Sequence, residues 1–196
     1  MTLPLAQRIR DLPPYLFAKI DELKTAQRNK GADLIDLGIG DPDLPTPAHI
    51  VASLQRAASE ARFHQYPSYA GMIETRQAIA HHYRERFGVH LDPASETLVL
   101  IGSKEGIAHF PLAVIDPGDL VLVPDPGYPV YATGARFAGG QVEYVPLLRE
   151  NGFLPDLAAI PESLARRAKL LWLNYPNNPT AALAPRSFYE GAVAWA

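Results

Sequence analysis

Short apolar runs alternate with helix-forming stretches along the second half of this chain. The apolar runs are typical of buried strands, and the stretches between them carry apolar residues at helical spacing. Strands are predicted at residues 97–101, 120–123, 141–147 and 169–173. Helices are predicted between them at residues 107–115, 130–137 and 156–168. Strands that alternate with helices of this length predict βαβ units and a mainly parallel sheet.

The first half of the chain is predicted to be mostly helical. Helices are predicted at residues 17–30, 46–62 and 71–87, with a short strand at 34–40. Thr46 is expected to cap the second helix and Gly88 to end the third. Residues 1–45 are predicted to form an N-terminal arm and part of a small domain. Residues 46–196 are predicted to form an incomplete three-layer αβα domain, so the fold class is α/β with a mainly parallel sheet.

Composition argues against several classes of function. The net charge of −3 over 196 residues gives no reason to expect nucleic acid or an anionic membrane as a partner. The chain contains no cysteine, which excludes disulfides, thiolate metal ligands and a cysteine nucleophile. The histidines lack metal-ligand spacing, so no metal site is expected. Without a long apolar run or a secretory h-region, a cytoplasmic protein is expected.

Three predicted strand ends carry side chains suited to a ligand, and ligands of open α/β sheets bind beyond such ends. Gly102-Ser103-Lys104 offers helix-start N–H groups, a hydroxyl and an ammonium, which suit a phosphate. Tyr128, held between prolines, can stack on a flat ring. Asn178 can hydrogen-bond a ring substituent. Alternatively, these are a capping serine beside a solvated lysine, a tyrosine packed in a loop, and an ordinary turn.

Six motifs follow one another along the chain. They are residues 37–47, Tyr66-Pro67 with Gly71, Gly102-Ser103-Lys104-Glu105, Asp116-Pro117-Gly118-Asp119, Pro126-Gly127-Tyr128-Pro129, and Asn174-Tyr175-Pro176-Asn177-Asn178-Pro179-Thr180. In this order they resemble the N-terminal half of the class I and II, fold-type I aminotransferases, which use pyridoxal 5'-phosphate. The sequences of residues 12–17, 40–45 and 102–105 are most similar to those of the LL-diaminopimelate aminotransferases and their close relatives. Ala181 departs from the glycine that most members have there.

The resemblance implies a role for each candidate residue. Gly102, Ser103 and Lys104 would hold the cofactor phosphate, Tyr128 would stack on the pyridine ring, and Asn178 would bind the phenolic oxygen. The substrates would be an amino acid and a 2-oxo acid, with LL-diaminopimelate and 2-oxoglutarate as one pair.

The resemblance also implies a homodimer with a shared active site. Tyr66 would reach the phosphate in the other subunit. Gly40 would lie near the substrate carboxylate, and Tyr15 would border the substrate.

No catalytic residue is assigned within the chain. The Schiff-base lysine of the family lies downstream of the Asn-Pro-Thr motif. Lys104 is the one lysine here that follows a serine, and the resemblance assigns it to the phosphate. The apolar end at residues 188–196 resembles the start of a further helix, so a truncated chain without activity of its own is expected. Three alternatives are a carbon–sulfur β-lyase of the same fold, a regulator with an aminotransferase-like domain, and a cofactor-binding pseudo-enzyme or gene fragment. Residues 12–15 and 40–45 favour the aminotransferase over the lyase, and the sequence has no basic helix-turn-helix to support the regulator.

Overall fold

Residues 3–12, 16–38, 40 and 42–196 are described by the structure, which is a computed structural model. The chain divides into two compact units, Pro13–Val99 and Met1–Leu12 together with Leu100–Ala196. The helices are α1 (Gln7–Arg10), α2 (Leu16–Asn29), α3 (Ala48–Ala58), α4 (Ile73–Phe87), α5 (Ser103–Val114), α6 (Val130–Phe137), α7 (Glu162–Ala165) and α8 (Arg186–Trp195). The strands are β1 (Leu120–Asp125), β2 (Gln141–Pro146) and β3 (Ala168–Leu171).

The three strands form one parallel sheet in the order β2-β1-β3. Leu120 pairs with Gln141 on one side and with Ala168 on the other, so β1 is the central strand. Residues 120–124 of β1 are all buried. A parallel strand covered on both faces needs such a continuous apolar run, and this pattern made β1 predictable.

Both faces of the sheet carry an apolar core. On one face, α5 and α6 cover β1, and the buried residues there are Ile115, Val121, Val123, Tyr131, Ala132 and Ala135. On the other face, Leu120, Leu122 and Val145 pack against residues from α7 and α8. The sheet between two helical layers confirms the predicted αβα arrangement.

The unit Pro13–Val99 is built from α2, α3 and α4. Gly88 ends α4 in the left-handed conformation, as its position directly after the predicted helix indicates. Arg76 on α4 donates from Nη1 to the carbonyl oxygens of Pro93 (2.8 Å) and Ala94 (3.1 Å). These contacts hold the following loop against the helix. No helix among the residues that the structure describes is both long and apolar enough to cross a membrane.

Three local predictions are wrong. Residues 97–101 form no strand, nor do the described residues of 34–40, because no other segment of the described part of the chain pairs with them to complete a ladder. Thr46 does not cap α3, which begins at Ala48 after Pro47 and has no side-chain cap. An apolar, β-branched run favours a strand, but the strand forms only when a partner supplies its hydrogen bonds.

Candidate cofactor site

Two of the predicted site segments follow strands of the same parallel sheet. β1 ends at Asp125, three residues before Tyr128, and β3 ends at Leu171, ahead of residues 174–180. Parallel strands end at the same edge of a sheet, so the topology directs both segments to one edge. α5, which begins at Ser103, packs on the face of β1.

The candidate phosphate cup is the start of α5, residues 102–104. Gly102 precedes the helix with φ +85°, a backbone conformation that side chains disfavour. The first N–H groups of a helix have no intrahelical acceptor and attract anions. Glu105 accepts a hydrogen bond from the N–H of Ile101 through Oε2 (2.6 Å). This acid, which sequence reasoning did not single out, therefore caps the turn that leads into the helix.

The structure brings two of the predicted residues together. The ammonium Nζ of Lys104 lies 5.9 Å from the ring centroid of Tyr128, within the range of a cation–π contact. Tyr128 is half-buried, and its ring meets the ring of Tyr131 edge-on, with centroids 5.8 Å apart and planes at 81°. A positive charge suited to a phosphate and a ring suited to stacking are thus neighbours.

A row of aromatic rings continues from Tyr128 into the core. Tyr131 stacks on Trp172 at 5.0 Å with planes at 21°, and Trp172 meets Phe110 edge-on at 6.1 Å. Burial, with a smaller effect of Tyr128, raises the pKa of Tyr131. The indole Nε1 of Trp172 is buried with no hydrogen-bond partner among the described residues. Sequence reasoning missed this row because its members lie far apart in the chain.

Asn177, which sequence reasoning also missed, anchors residues 174–180. We call this segment the Asn-Pro corner. Asn177 is 4% exposed, and its Oδ1 accepts hydrogen bonds from the N–H (3.2 Å) and the hydroxyl (2.8 Å) of Thr180. Its own N–H donates to the carbonyl of Ala182 (2.9 Å). The neighbouring Asn178 is exposed, and its N–H donates to Oδ1 of Asn174 (3.2 Å). The fixed corner therefore leaves the side chain of Asn178 accessible to a ligand.

These groups fit the cofactor that the resemblance implies. The ammonium of Lys104, the hydroxyl of Ser103 and the N–H groups at the start of α5 are all donors, as a phosphate requires. The ring of Tyr128 and the amide of Asn178 add a stacking surface and a neutral hydrogen-bonding group.

The other predicted residues belong to the unit Pro13–Val99. Tyr66 and Gly40 are exposed, and Tyr15 lies outside the described residues. Asp36 accepts a hydrogen bond from the N–H of Gly38 (3.0 Å) and lies 3.1 Å from Nζ of Lys24. The Gly38 hydrogen bond, followed by the Lys24 contact, lowers the pKa of Asp36. The hydrogen bond from Gly38 fixes the backbone of residues 36–38.

Comparisons with known proteins match nearly the whole chain. A family model described as "Aminotransferase class I and II" matches residues 32–195. The LL-diaminopimelate aminotransferase of Syntrophobacter fumaroxidans is 60% identical over 191 residues, which are 97% of this chain and 49% of that protein. The chain spans about half the length of the curated relatives it matches.

Solved structures share the same architecture. Substrate-bound BacF from Bacillus subtilis has a TM-score of 0.91 and 37% identity, covering 99% of this chain and 49% of that chain. A single mutant of Thermus thermophilus aspartate aminotransferase has a TM-score of 0.90 and 32% identity, covering 99% of this chain and 50% of that chain. These similarities confirm the predicted fold class.

Proposed function

The chain belongs to the class I and II aminotransferase family, and from this premise we propose that its residues hold pyridoxal 5'-phosphate. When bound, this cofactor serves as an electron sink for reactions at the α-carbon of an amino acid. The observation that carries the proposal is the 5.9 Å between Nζ of Lys104 and the ring of Tyr128. A phosphorylated pyridine ring can contact a cation with its phosphate and an aromatic side chain with its ring.

Each residue of the proposed site acts by binding. Lys104, Ser103 and the N–H groups after Gly102 bind the phosphate and fix the position of the cofactor. Tyr128 supports the pyridine ring and excludes water from one face. Asn178 donates its amide to the phenolic oxygen. None of these roles transfers a proton, so we expect the 196 residues to bind cofactor without turnover.

The whole protein is proposed to transfer an amino group from an amino acid to a 2-oxo acid. The names of the curated relatives support LL-diaminopimelate as the amino donor, in lysine biosynthesis. The family resemblance implies 2-oxoglutarate as the acceptor. We propose that the protein is cytoplasmic, as such a biosynthetic role requires. Its lack of cysteine fits a reducing compartment.

The proposed assembly is a homodimer with a shared active site. Tyr66, which is exposed, would contact the phosphate bound by the other subunit. Gly40 would offer its N–H to the substrate carboxylate, and Tyr15 would border the substrate.

Binding of pyridoxamine 5'-phosphate, which cannot form a Schiff base with surface lysines, tests the cofactor site. Calorimetric titration should show tighter binding of pyridoxamine 5'-phosphate than of pyridoxamine, since only the former carries a phosphate. Lys104→Met should lower the affinity for pyridoxamine 5'-phosphate by about tenfold, because a charge-assisted contact with the phosphate is lost. Its effect on pyridoxamine should be small.

Lys30→Met is the matched control, because Lys30 is an exposed lysine of the other unit. It should leave both affinities unchanged. Equal affinity of the wild-type protein for the two ligands would contradict the proposed phosphate cup. An equal loss of affinity for pyridoxamine 5'-phosphate in both lysine variants would mean that binding depends only on the net charge of the protein.

A further inference from the structure

Gly134 on α6 lies in close contact with the backbone of α5. It is buried, and a methyl group at its Cα would meet the carbonyl oxygens of Ala108 at 3.1 Å and Ile107 at 3.3 Å. Both contacts are with backbone atoms, so a side-chain rotation cannot relieve them. Any larger residue must move the two helices apart by a few tenths of an ångström.

The same two helices carry the two halves of the proposed site. α5 begins with Ser103 and Lys104, and α6 begins two residues after Tyr128. The distance between the helices therefore sets the distance between the ammonium of Lys104 and the ring of Tyr128. We infer that Gly134 is a positioning residue, which holds the phosphate cup and the stacking ring at the spacing that one cofactor molecule needs.

The inference rests on the proposed cofactor site and adds a requirement to it. A cofactor must touch the cup and the ring at once, so its affinity depends on the spacing between the helices. Inorganic phosphate touches only the cup, so its affinity does not depend on that spacing. Comparing the affinities for the two ligands therefore distinguishes damage to the cup from a change in the spacing between the helices.

Trp172 offers an independent measure of the spacing. Its indole touches Tyr131 on α6 and Phe110 on α5. The chain has two tryptophans, and Trp195 lies in α8. In a Trp195→Phe background, the emission of Trp172 alone reports whether the two helices have moved.

The experiment compares Gly134→Ala with Gly191→Ala. Both glycines lie inside helices, so both variants share the gain in helix propensity. Gly191 has open space around its Cα, which makes it the matched control. Calorimetry with pyridoxamine 5'-phosphate and with inorganic phosphate measures the two affinities. Circular dichroism checks that each variant is folded.

Gly134→Ala should bind pyridoxamine 5'-phosphate about fivefold more weakly, because the two contacts no longer align. Its affinity for phosphate should be unchanged, the emission of Trp172 should shift, and Gly191→Ala should match the wild type. If Gly134→Ala binds both ligands as the wild type does, the inference is overturned and the proposed function stands. An equal loss of affinity for both ligands would also overturn the inference, because the damage would then lie in the cup. A Gly134→Ala protein that does not fold would also overturn it, since Gly134 would then serve the core. A wild-type protein that binds neither ligand would refute the proposed function itself.

Discussion

Tyr175 joins the Asn-Pro corner to a second loop through one hydrogen bond. Its hydroxyl donates to the carbonyl oxygen of Phe153 at 2.8 Å, and its ring meets Phe188 edge-on at 5.6 Å. Phe153 itself has φ +59°, which is strained for a residue with a side chain. The hydrogen bond therefore stabilises both the corner that carries Asn178 and a strained turn.

We expect Tyr175→Phe to lower the free energy of unfolding by about 1 kcal/mol, because the carbonyl of Phe153 loses a partly buried donor. Denaturant unfolding followed by circular dichroism measures this loss. Tyr69→Phe is the control, since Tyr69 is fully exposed, and it should have no measurable effect. Equal midpoints for the two variants would show that the hydrogen bond contributes nothing.

The same residue gives the unfolding free energy a dependence on alkaline pH. Burial, with a smaller effect of Tyr189, raises the pKa of Tyr175 from 10.0 to about 12. The folded state then holds this proton more tightly, so its contribution is complete below about pH 10 and is lost as the pH rises towards about 12. The difference between wild type and Tyr175→Phe should shrink across this window.

Candidate side chains within short motifs could be singled out from the sequence, and side chains defined by distant contacts could not. Lys104, Tyr128 and Asn178 stand in such motifs. The motifs of Tyr128 and Asn178 follow strands, whereas that of Lys104 opens α5. Tyr131 and Trp172 meet only after α6 and β3 pack on the same strand. The departure at Ala181 was visible in the sequence, but its reason was not. Ala181 has φ +59°, a backbone conformation that favours the glycine that most family members have there.

At the scale of elements, residues 98–101 are an apolar segment that has no partner strand among the described residues. Leu98 and Ile101 are 60% and 90% exposed. The helix at 130–137 was predicted to the residue, because helical spacing is a local signal. A strand depends on a neighbour that the local sequence does not contain, which is why 97–101 was mispredicted.

Hydrogen exchange should separate this segment from β1. Amides of residues 98–100 should exchange rapidly, because no ladder protects them, whereas amides of residues 121–123 should exchange slowly. Mass spectrometry of peptides that cover each segment measures both rates. Comparable protection in the two segments would mean that 98–100 is paired in solution, against the observed structure.

At the scale of the whole molecule, the chain carries large apolar side chains on its surface. Within the described residues β3 has no neighbour on its outer side, and a groove of about 690 Å³ beside it is lined in part by Leu170, Leu171 and Trp195. Unpaired strand edges and apolar surface favour association between chains.

We therefore expect the 196-residue chain to self-associate as its concentration rises. Light scattering coupled to size-exclusion chromatography should show a mass that increases with concentration, and a dye that binds apolar surface should fluoresce with the native protein. A monomer at every concentration, with a cooperative melt, would contradict this expectation.

The order of the packed elements along the chain also bears on protein synthesis. α5, β1, α6 and β2 are consecutive in sequence. The stretch that they span contains Lys104, Tyr128 in the loop between β1 and α6, and the buried residues of one face of the core. Contacts between sequence neighbours form early, and ribosomes release a chain from its N-terminus. A nascent chain can therefore assemble the cup and the stacking ring while the codon for Asn178 is still untranslated.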